Sequence, residues 1–259
     1  STHRHRSAGL LFRSSQAPFA QILAGPGGIL QPLSRLGGAP MVAGMNGADF
    51  HHVCTWVFDL DNTLYPPSAR LFDQIERRMT DFVMQTLRVS RDEADHLRTH
   101  YWKTHGTTLA GLMREHAMPP EAYLEHVHDI SLDHLPQDPA LCAAIACLPG
   151  RRIVYTNGTA PYAQRVLAAR GLTGAFDAVY GVEHAGFRPK PDRAAFECVF
   201  AADGLVAHQA AMFEDDPRNL AAPHALGMRT VHVAPEPVVA DHIHHHTDDL
   251  AGFLVGIGP

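Results

Sequence analysis

Two rhythms of apolar residues run along this chain. From residue 53 onward, short apolar-rich runs recur at 53–60, 153–156, 178–181, 211–214 and 230–233. Such runs predict the strands of a sheet covered on both faces. Between them, apolar residues return at helical spacing. Val166 and Leu167 mark a helix over 161–170, and Ala195, Phe196, Val199 and Phe200 mark one over 192–202. A third covers 217–226. Each stops at a glycine (Gly171, Gly204, Gly227), the residue that most readily turns left-handed past a helix end. Repeated strand–helix units predict an α/β fold, a Rossmann-like doubly wound parallel sheet with its ligand site at the carboxyl ends of the strands.

One long interruption separates the first two strands. In residues 69–146, Leu71, Phe72, Ile75, Met79, Phe82, Val83 and Leu87 recur at helical spacing. Ser90-Arg91-Asp92-Glu93 reads as a capping box opening a second helix through Trp102. Further helices start near Gly106 and at Pro119-Pro120-Glu121. The segment predicts a compact helical insertion over the active end. The division is therefore 1–48 as an extension, 49–68 and 147–259 as the core, and 69–146 as the insertion. The extension has no acid before Asp49 and is rich in Gly, Pro, Ser and Ala, with arginine among its charged residues. A disordered extension is expected, or a start placed too early, with Met41 or Met45 as the start. An organelle transit segment is the alternative.

Composition narrows the partners. The 259-residue chain carries a net charge of −6, so no basic field points to a nucleic-acid polymer. No apolar run approaches the roughly 20 residues of a membrane span. Cys54, Cys142, Cys147 and Cys198 show no C-x-x-C pairing. They predict buried free thiols in a reducing, cytoplasmic compartment. The segment Asp241-His242-Ile243-His244-His245-His246 invites a zinc reading, but adjacent side chains diverge. Alternation around Ile243 predicts instead a short edge strand carrying surface histidines, then a final helix over 248–254.

The chemistry concentrates where apolar runs end. Trp56-Val57-Phe58-Asp59-Leu60-Asp61-Asn62-Thr63 climbs into two carboxylates at i and i+2, which share one face of a strand. Two carboxylates there repel unless a cation or proton lies between them. That pattern points to a divalent metal and an anionic substrate. Alone, it could also be a turn capping the strand. Tyr155-Thr156-Asn157-Gly158 ends the second run, and taken alone it reads as a turn. Arg188-Pro189-Lys190-Pro191 holds one lysine between two prolines, and Glu214-Asp215-Asp216 ends a third apolar run.

Asp-x-Asp, then Thr, then Lys, then an acidic pair is an order in which the chain resembles the haloacid dehalogenase superfamily of phosphohydrolases over roughly residues 53–257. The resemblance implies a Mg²⁺-dependent phosphomonoesterase with a cap inserted after the first strand. It makes Asp59 the nucleophile and Asp61 the general acid and base, whose main-chain carbonyl also meets the metal. Thr156 and the Asn157 N–H would bind phosphoryl oxygens, and Lys190 would neutralise charge. Asn219 and Gly227 fit a spacing that makes Asp215 the metal ligand and Glu214 a supporting acid. Asp216 stands where relatives carry a hydroxyl residue, which leaves Asp215 and Asp216 both open.

The finer resemblance is to the pyrimidine 5′-nucleotidase branch. It rests on Phe58–Pro66, on Gly106-Thr107-Thr108-Leu109-Ala110-Gly111-Leu112 and on Val127-His128-Asp129-Ile130. It implies hydrolysis of nucleoside 5′-monophosphates, UMP and CMP first, with Thr107, Thr108, His128 and Asp129 reading the leaving group. Thr107 and Thr108 also read as a helix cap, and Asp129 as a turn. Alternatives are a phosphatase of phosphoglycolate, sugar phosphates or a cofactor phosphate, and a phosphate-binding regulator without turnover. A hydrolytic dehalogenase needs neither Asp61 nor the acidic motif.

Overall fold

The structure, a computed structural model, describes residues 47–258. The expectation for residues 1–48 lies outside the described residues except at its last two positions. In chain order the elements are β1 (Thr55–Phe58), α1 (Leu71–Leu87), α2 (Arg91–His105), α3 (Thr108–His116), α4 (Pro120–His128), α5 (Pro139–Ala146), β2 (Arg151–Tyr155), α6 (Ala160–Ala169), β3 (Ala178–Tyr180), α7 (Arg193–Asp203), β4 (Ala210–Glu214), α8 (Ala221–Ala225), β5 (Arg229–Val233), β6 (His245–Thr247) and α9 (Leu250–Ile257). The strands make one parallel sheet in the order β3-β2-β1-β4-β5-β6. The chain winds outward from β1 to β3, then returns to β4 on the other side of β1. The switch point between β1 and β4 is where such sheets open a crevice for ligands.

Every residue of β1 and β4 is buried, as a sheet covered on both faces requires. Trp56 and Phe58 face one layer with Phe213, Val166 of α6 and Phe253 of α9. Val57 faces the other, with Met212, Phe196 and Val199 of α7. The period-2 alternation of a strand thus serves two cores. Phe50, just before β1, stacks on Trp56 and meets Phe253 edge-on. Ser90, Thr107 and Asp192 cap α2, α3 and α7 by accepting backbone N–H bonds, as short polar side chains at helix starts do.

Three expectations need correction. The insertion was expected over 69–146, but only α1 to α4 pack among themselves; α5 packs against α9 on the core. Its buried Leu141, Ala144 and Ile145 join the core layer, because this helix carries the crossover back to β2. Cys54, Cys147 and Cys198 are free but exposed, since they fall outside the buried strand segments. The histidines after residue 241 are not simply surface groups. His242 Nε2 lies 2.8 Å from the Pro217 carbonyl, His244 Nδ1 2.8 Å from Thr230 Oγ1 and His246 Nε2 2.8 Å from the Ala234 carbonyl. These contacts lace the chain onto the β5 edge, and the edge strand starts at His245 rather than around Ile243.

Gly111 shows how tightly the insertion is built. A Cβ there would lie 2.2 Å from Cγ of buried Tyr101. Gly111→Ala is expected to cost about 1–3 kcal/mol by overpacking α2 against α3. A lowered thermal midpoint checks this, and an unchanged midpoint would show that the two helices can move apart freely.

Candidate active site

Burying an ammonium group demands partners, and Lys190, only 1% exposed, has three. Its Nζ donates to Asp59 Oδ1 at 2.6 Å, to Glu214 Oε2 at 2.6 Å and to the Tyr155 carbonyl at 3.1 Å. These acceptors terminate β1, β4 and β2. Asn157 holds the lysine segment from the other side: its Oδ1 accepts from the Lys190 N–H at 2.8 Å and its Nδ2 donates to the Lys190 carbonyl at 3.1 Å. The Asn157 side chain is therefore committed to positioning Lys190. What Asn157 can offer a ligand is its main-chain N–H. Thr156 is fully buried, and its Oγ1 accepts from the Gly158 N–H at 2.9 Å, which leaves its own O–H to donate.

Asp59, Glu214 and Asp215 bring ligand oxygens within 4.8 Å of one another. Three carboxylates face one ammonium, so charge is missing. Burial and the Glu214 charge push Asp59 up to about 7 although Lys190 opposes them. Burial and the Glu214 and Asp59 charges push Asp215 up to about 9, again against Lys190. Burial alone would pull Lys190 down; Asp59 and Glu214 outweigh it and hold the ammonium well above its ordinary value. An all-oxygen acidic set short of positive charge suits a hard divalent cation. Of the two adjacent acids, Asp215 stands in this cluster and accepts from Asn62 Nδ2 at 3.3 Å. Asp216 instead pairs with Arg218 at 2.6 Å and caps the turn Pro217–Leu220.

Asp61 lies beside the cluster with a different environment. Tyr65 and Tyr162 both donate to its Oδ1, at 2.7 and 2.8 Å. Burial and the Asp59 charge raise its carboxyl to about 6. Its carboxylate is not among the three clustered acids, though it feels the Asp59 charge.

A cavity of about 770 Å³ opens above these groups. Asp59, Asp61, Thr156, Asn157, Lys190 and Asp215 line its floor, and Thr107, Thr108 and His128 line its roof. Thr107 also caps α3, accepting from the Ala110 N–H at 3.1 Å. His128 lies flat on Tyr162, ring centroids 4.3 Å apart, and burial pulls its imidazole down to about 4. Asp129 is a correction. Its carboxylate is 78% exposed and pairs with Arg78 at 2.6 Å. It follows the last turn of α4, where the chain rotates its side chain outward, and it does not line the cavity. Sequence reading missed the side chains of Tyr65, Tyr162, Asn62, Trp102 and Arg218. Tyr65 lies inside the motif that was noticed, but nothing local signals Tyr162.

The charge imbalance makes a testable demand. Without metal, folded Asp59 and Asp215 keep protons that the unfolded chain has already released, so stability falls as pH rises through about 7 and then about 9. Below about 6.5 His128 and His244 oppose this slope, because they stay neutral in the fold down to about 4 while unfolded histidines charge. In EDTA the thermal midpoint is expected to fall from about pH 7 to about pH 9, and Asp215→Asn should remove most of that slope. Saturating Mg²⁺ should flatten it. A midpoint that holds steady in EDTA over this window would mean that the acids already have their counter-charge.

Comparison with known proteins follows the same lines. Residues 55–227 match the haloacid dehalogenase-like hydrolase family. Phosphate metabolism protein 8 of Saccharomyces cerevisiae is 26% identical over 190 residues, which cover 66% of this chain and 58% of that protein. CbbY from Rhodobacter sphaeroides in complex with phosphate superposes with a TM-score of 0.57 at 18% identity, covering 79% of this chain and 99% of CbbY. The 2-haloacid dehalogenase of Pseudomonas syringae pv. Tomato gives 0.53 at 19% identity, covering 79% of this chain and 98% of that one. YfnB from Bacillus subtilis bound to magnesium gives 0.52 at 15% identity, with the same coverages. At these identities the superpositions speak for the fold. The family match spans well over half of the chain and includes β1, β2 and β4 with the residues that end them, and this chain belongs to the haloacid dehalogenase-like hydrolases.

Proposed function

We propose that this chain is a Mg²⁺-dependent phosphomonoesterase that hydrolyses nucleoside 5′-monophosphates, UMP and CMP first, through an aspartyl-phosphate on Asp59. The observation that carries the reading is the floor of the cavity, where Lys190, three carboxylates and Asp61 meet at the switch point. Asp59, Asp215 and the Asp61 carbonyl would hold Mg²⁺, which would cancel the repulsion between carboxylate and phosphate dianion. Asp59 attacks phosphorus, and the bond to the leaving oxygen breaks as Asp61 gives that oxygen a proton. Asp61 then takes a proton from the water that cleaves the acyl phosphate. Thr156, the Asn157 N–H and Lys190 stabilise the phosphoryl oxygens.

A dehalogenase needs no general acid beside its nucleophile and no acidic metal motif, and this chain has both features. The roof supports a polar leaving group of nucleoside size. About 770 Å³ lies within the usual range of small-molecule sites, and Thr107, Thr108, Arg98, Thr99 and Trp102 offer hydrogen bonds and an aromatic face. Exposed free thiols suit a reducing cytoplasm.

Asp59→Asn should fold and lose turnover. Asp61→Asn should lose roughly 10²–10⁴-fold. UMP and CMP should exceed AMP and GMP in kcat/KM, and Thr108→Val should erode that preference while sparing p-nitrophenyl phosphate. Equal rates on purine and pyrimidine nucleotides, or a preference for phosphoglycolate or a sugar phosphate, would sink the nucleotide assignment. Stoichiometric labelling without turnover would make the protein a phosphate-binding regulator.

A further inference from the structure

Several buried polar groups near the site serve Lys190 or the acid cluster; two tyrosines serve Asp61 instead. Tyr65 and Tyr162 are buried, lie outside the cavity lining and converge on one atom. Tyr65 follows Asp61 by four residues in the turn after β1. Tyr162 comes from the first turn of α6, on the far side of β2 in the chain. Their hydroxyls donate to the same oxygen, Asp61 Oδ1, at 2.7 and 2.8 Å. A carboxylate with two donors on one oxygen cannot rotate freely about its last torsion, and it has one oxygen left for other work. A phenol is an O–H donor at neutral pH, so both tyrosines keep this role throughout the working range.

We propose that Tyr65 and Tyr162 are positioning residues that pin Asp61 by Oδ1 and present Oδ2 to the leaving oxygen. This inference rests on the phosphatase reading above, in which Asp61 is the general acid. The proton lost from Oδ2 goes to the leaving oxygen as its bond to phosphorus breaks; the proton regained on Oδ2 comes from the hydrolytic water. The tyrosines exchange no proton in either step. They fix where that oxygen is, and a misplacement of about 1 Å can cost roughly 10²-fold in rate. The His128 ring stacked on Tyr162, planes 7° apart, holds the second phenol in turn. The last residue of α4 in the insertion is thereby tied to the orientation of the acid.

The test uses the full chain with Mg²⁺ and a series of substituted phenyl phosphates of rising leaving-group basicity, together with an alkyl phosphate. Each is read as kcat/KM, which stops at the first irreversible step. Nitrophenolate leaves without a proton, whereas an alkoxide needs one. Wild type should depend weakly on leaving-group basicity. Tyr65→Phe/Tyr162→Phe keeps both rings and removes both donors. It should stay within a few-fold of wild type on p-nitrophenyl phosphate and lose roughly 10- to 100-fold on the alkyl phosphate. The near-normal rate on the good leaving group doubles as the check that the variant folds. Asp61→Asn is the reference, and it should steepen the dependence further. If Asp61→Asn steepens it and the tyrosine variant does not, or if the tyrosine variant loses equally on every substrate, the positioning role is overturned while the phosphatase stands. If Asp61→Asn shows no steepening, the general-acid reading fails and the inference fails with it.

Discussion

Lys190 carries a charge to a place that water does not reach, and the active end of the sheet is organised around that fact. A buried ammonium without partners costs several kcal/mol, and breaking a buried pair by removing one member typically costs about 3–5 kcal/mol. Here the partners are the residues that end β1, β2 and β4. Glu214 and Asp59 would repel each other across the gap between neighbouring strands, and the ammonium turns that repulsion into a tie. The reciprocal amide bonds from Asn157 hold the lysine main chain to the end of β2. One cation therefore aligns three strand ends and sets the distance between Asp59 and Glu214.

That arrangement leaves the site deliberately short of positive charge. Burial first, and the neighbouring carboxylates second, raise Asp59 and Asp215 far above the ordinary carboxylate range, although Lys190 opposes both. A cation or a proton must make up the difference. That demand for positive charge is thus a consequence of how the fold desolvates its acids, not of any single acid. Asp61 escapes this balance because its partners are two phenols, which lower its carboxyl while burial raises it.

Recognition is divided between layers. In the proposed reaction the sheet ends would address what every phosphate ester has in common, and the α1–α4 helices would supply the roof. Arg218, in the turn after β4, stacks its guanidinium 3.9 Å from the ring centre of Trp102 on α2. Arg170 at the end of α6 binds the Leu64 carbonyl, the Pro136 carbonyl and Asp138, which secures the two points where the chain leaves and rejoins the core.

The strand ends and the residues gathered there were legible because both signals are local. An apolar run long enough to be buried on two faces, broken by acids, a hydroxyl or a caged lysine, reports a strand and its carboxyl end within ten residues. Helix starts at Ser90, Thr107 and Asp192 were legible for the same reason, since a cap acts on N–H groups two or three residues away. What depended on distance was not. α5 looks like any other helix of the insertion, and only contact with α9 assigns it to the core. Asp129 reads as a polar residue after a helix, and only the last turn of α4 decides that it faces Arg78 and solvent. The histidines of the last edge found partners on β5 and beyond that no neighbouring residue announces. By itself, then, the sequence determined the order of strands and helices, the family and the residues at each strand end, because propensity, burial pattern and capping are settled within a turn or a strand. Which of two adjacent acids enters the cluster, and which oxygen of Asp61 is free, were decided only by the tertiary structure, because each depends on side chains brought in from segments roughly one hundred or more residues away.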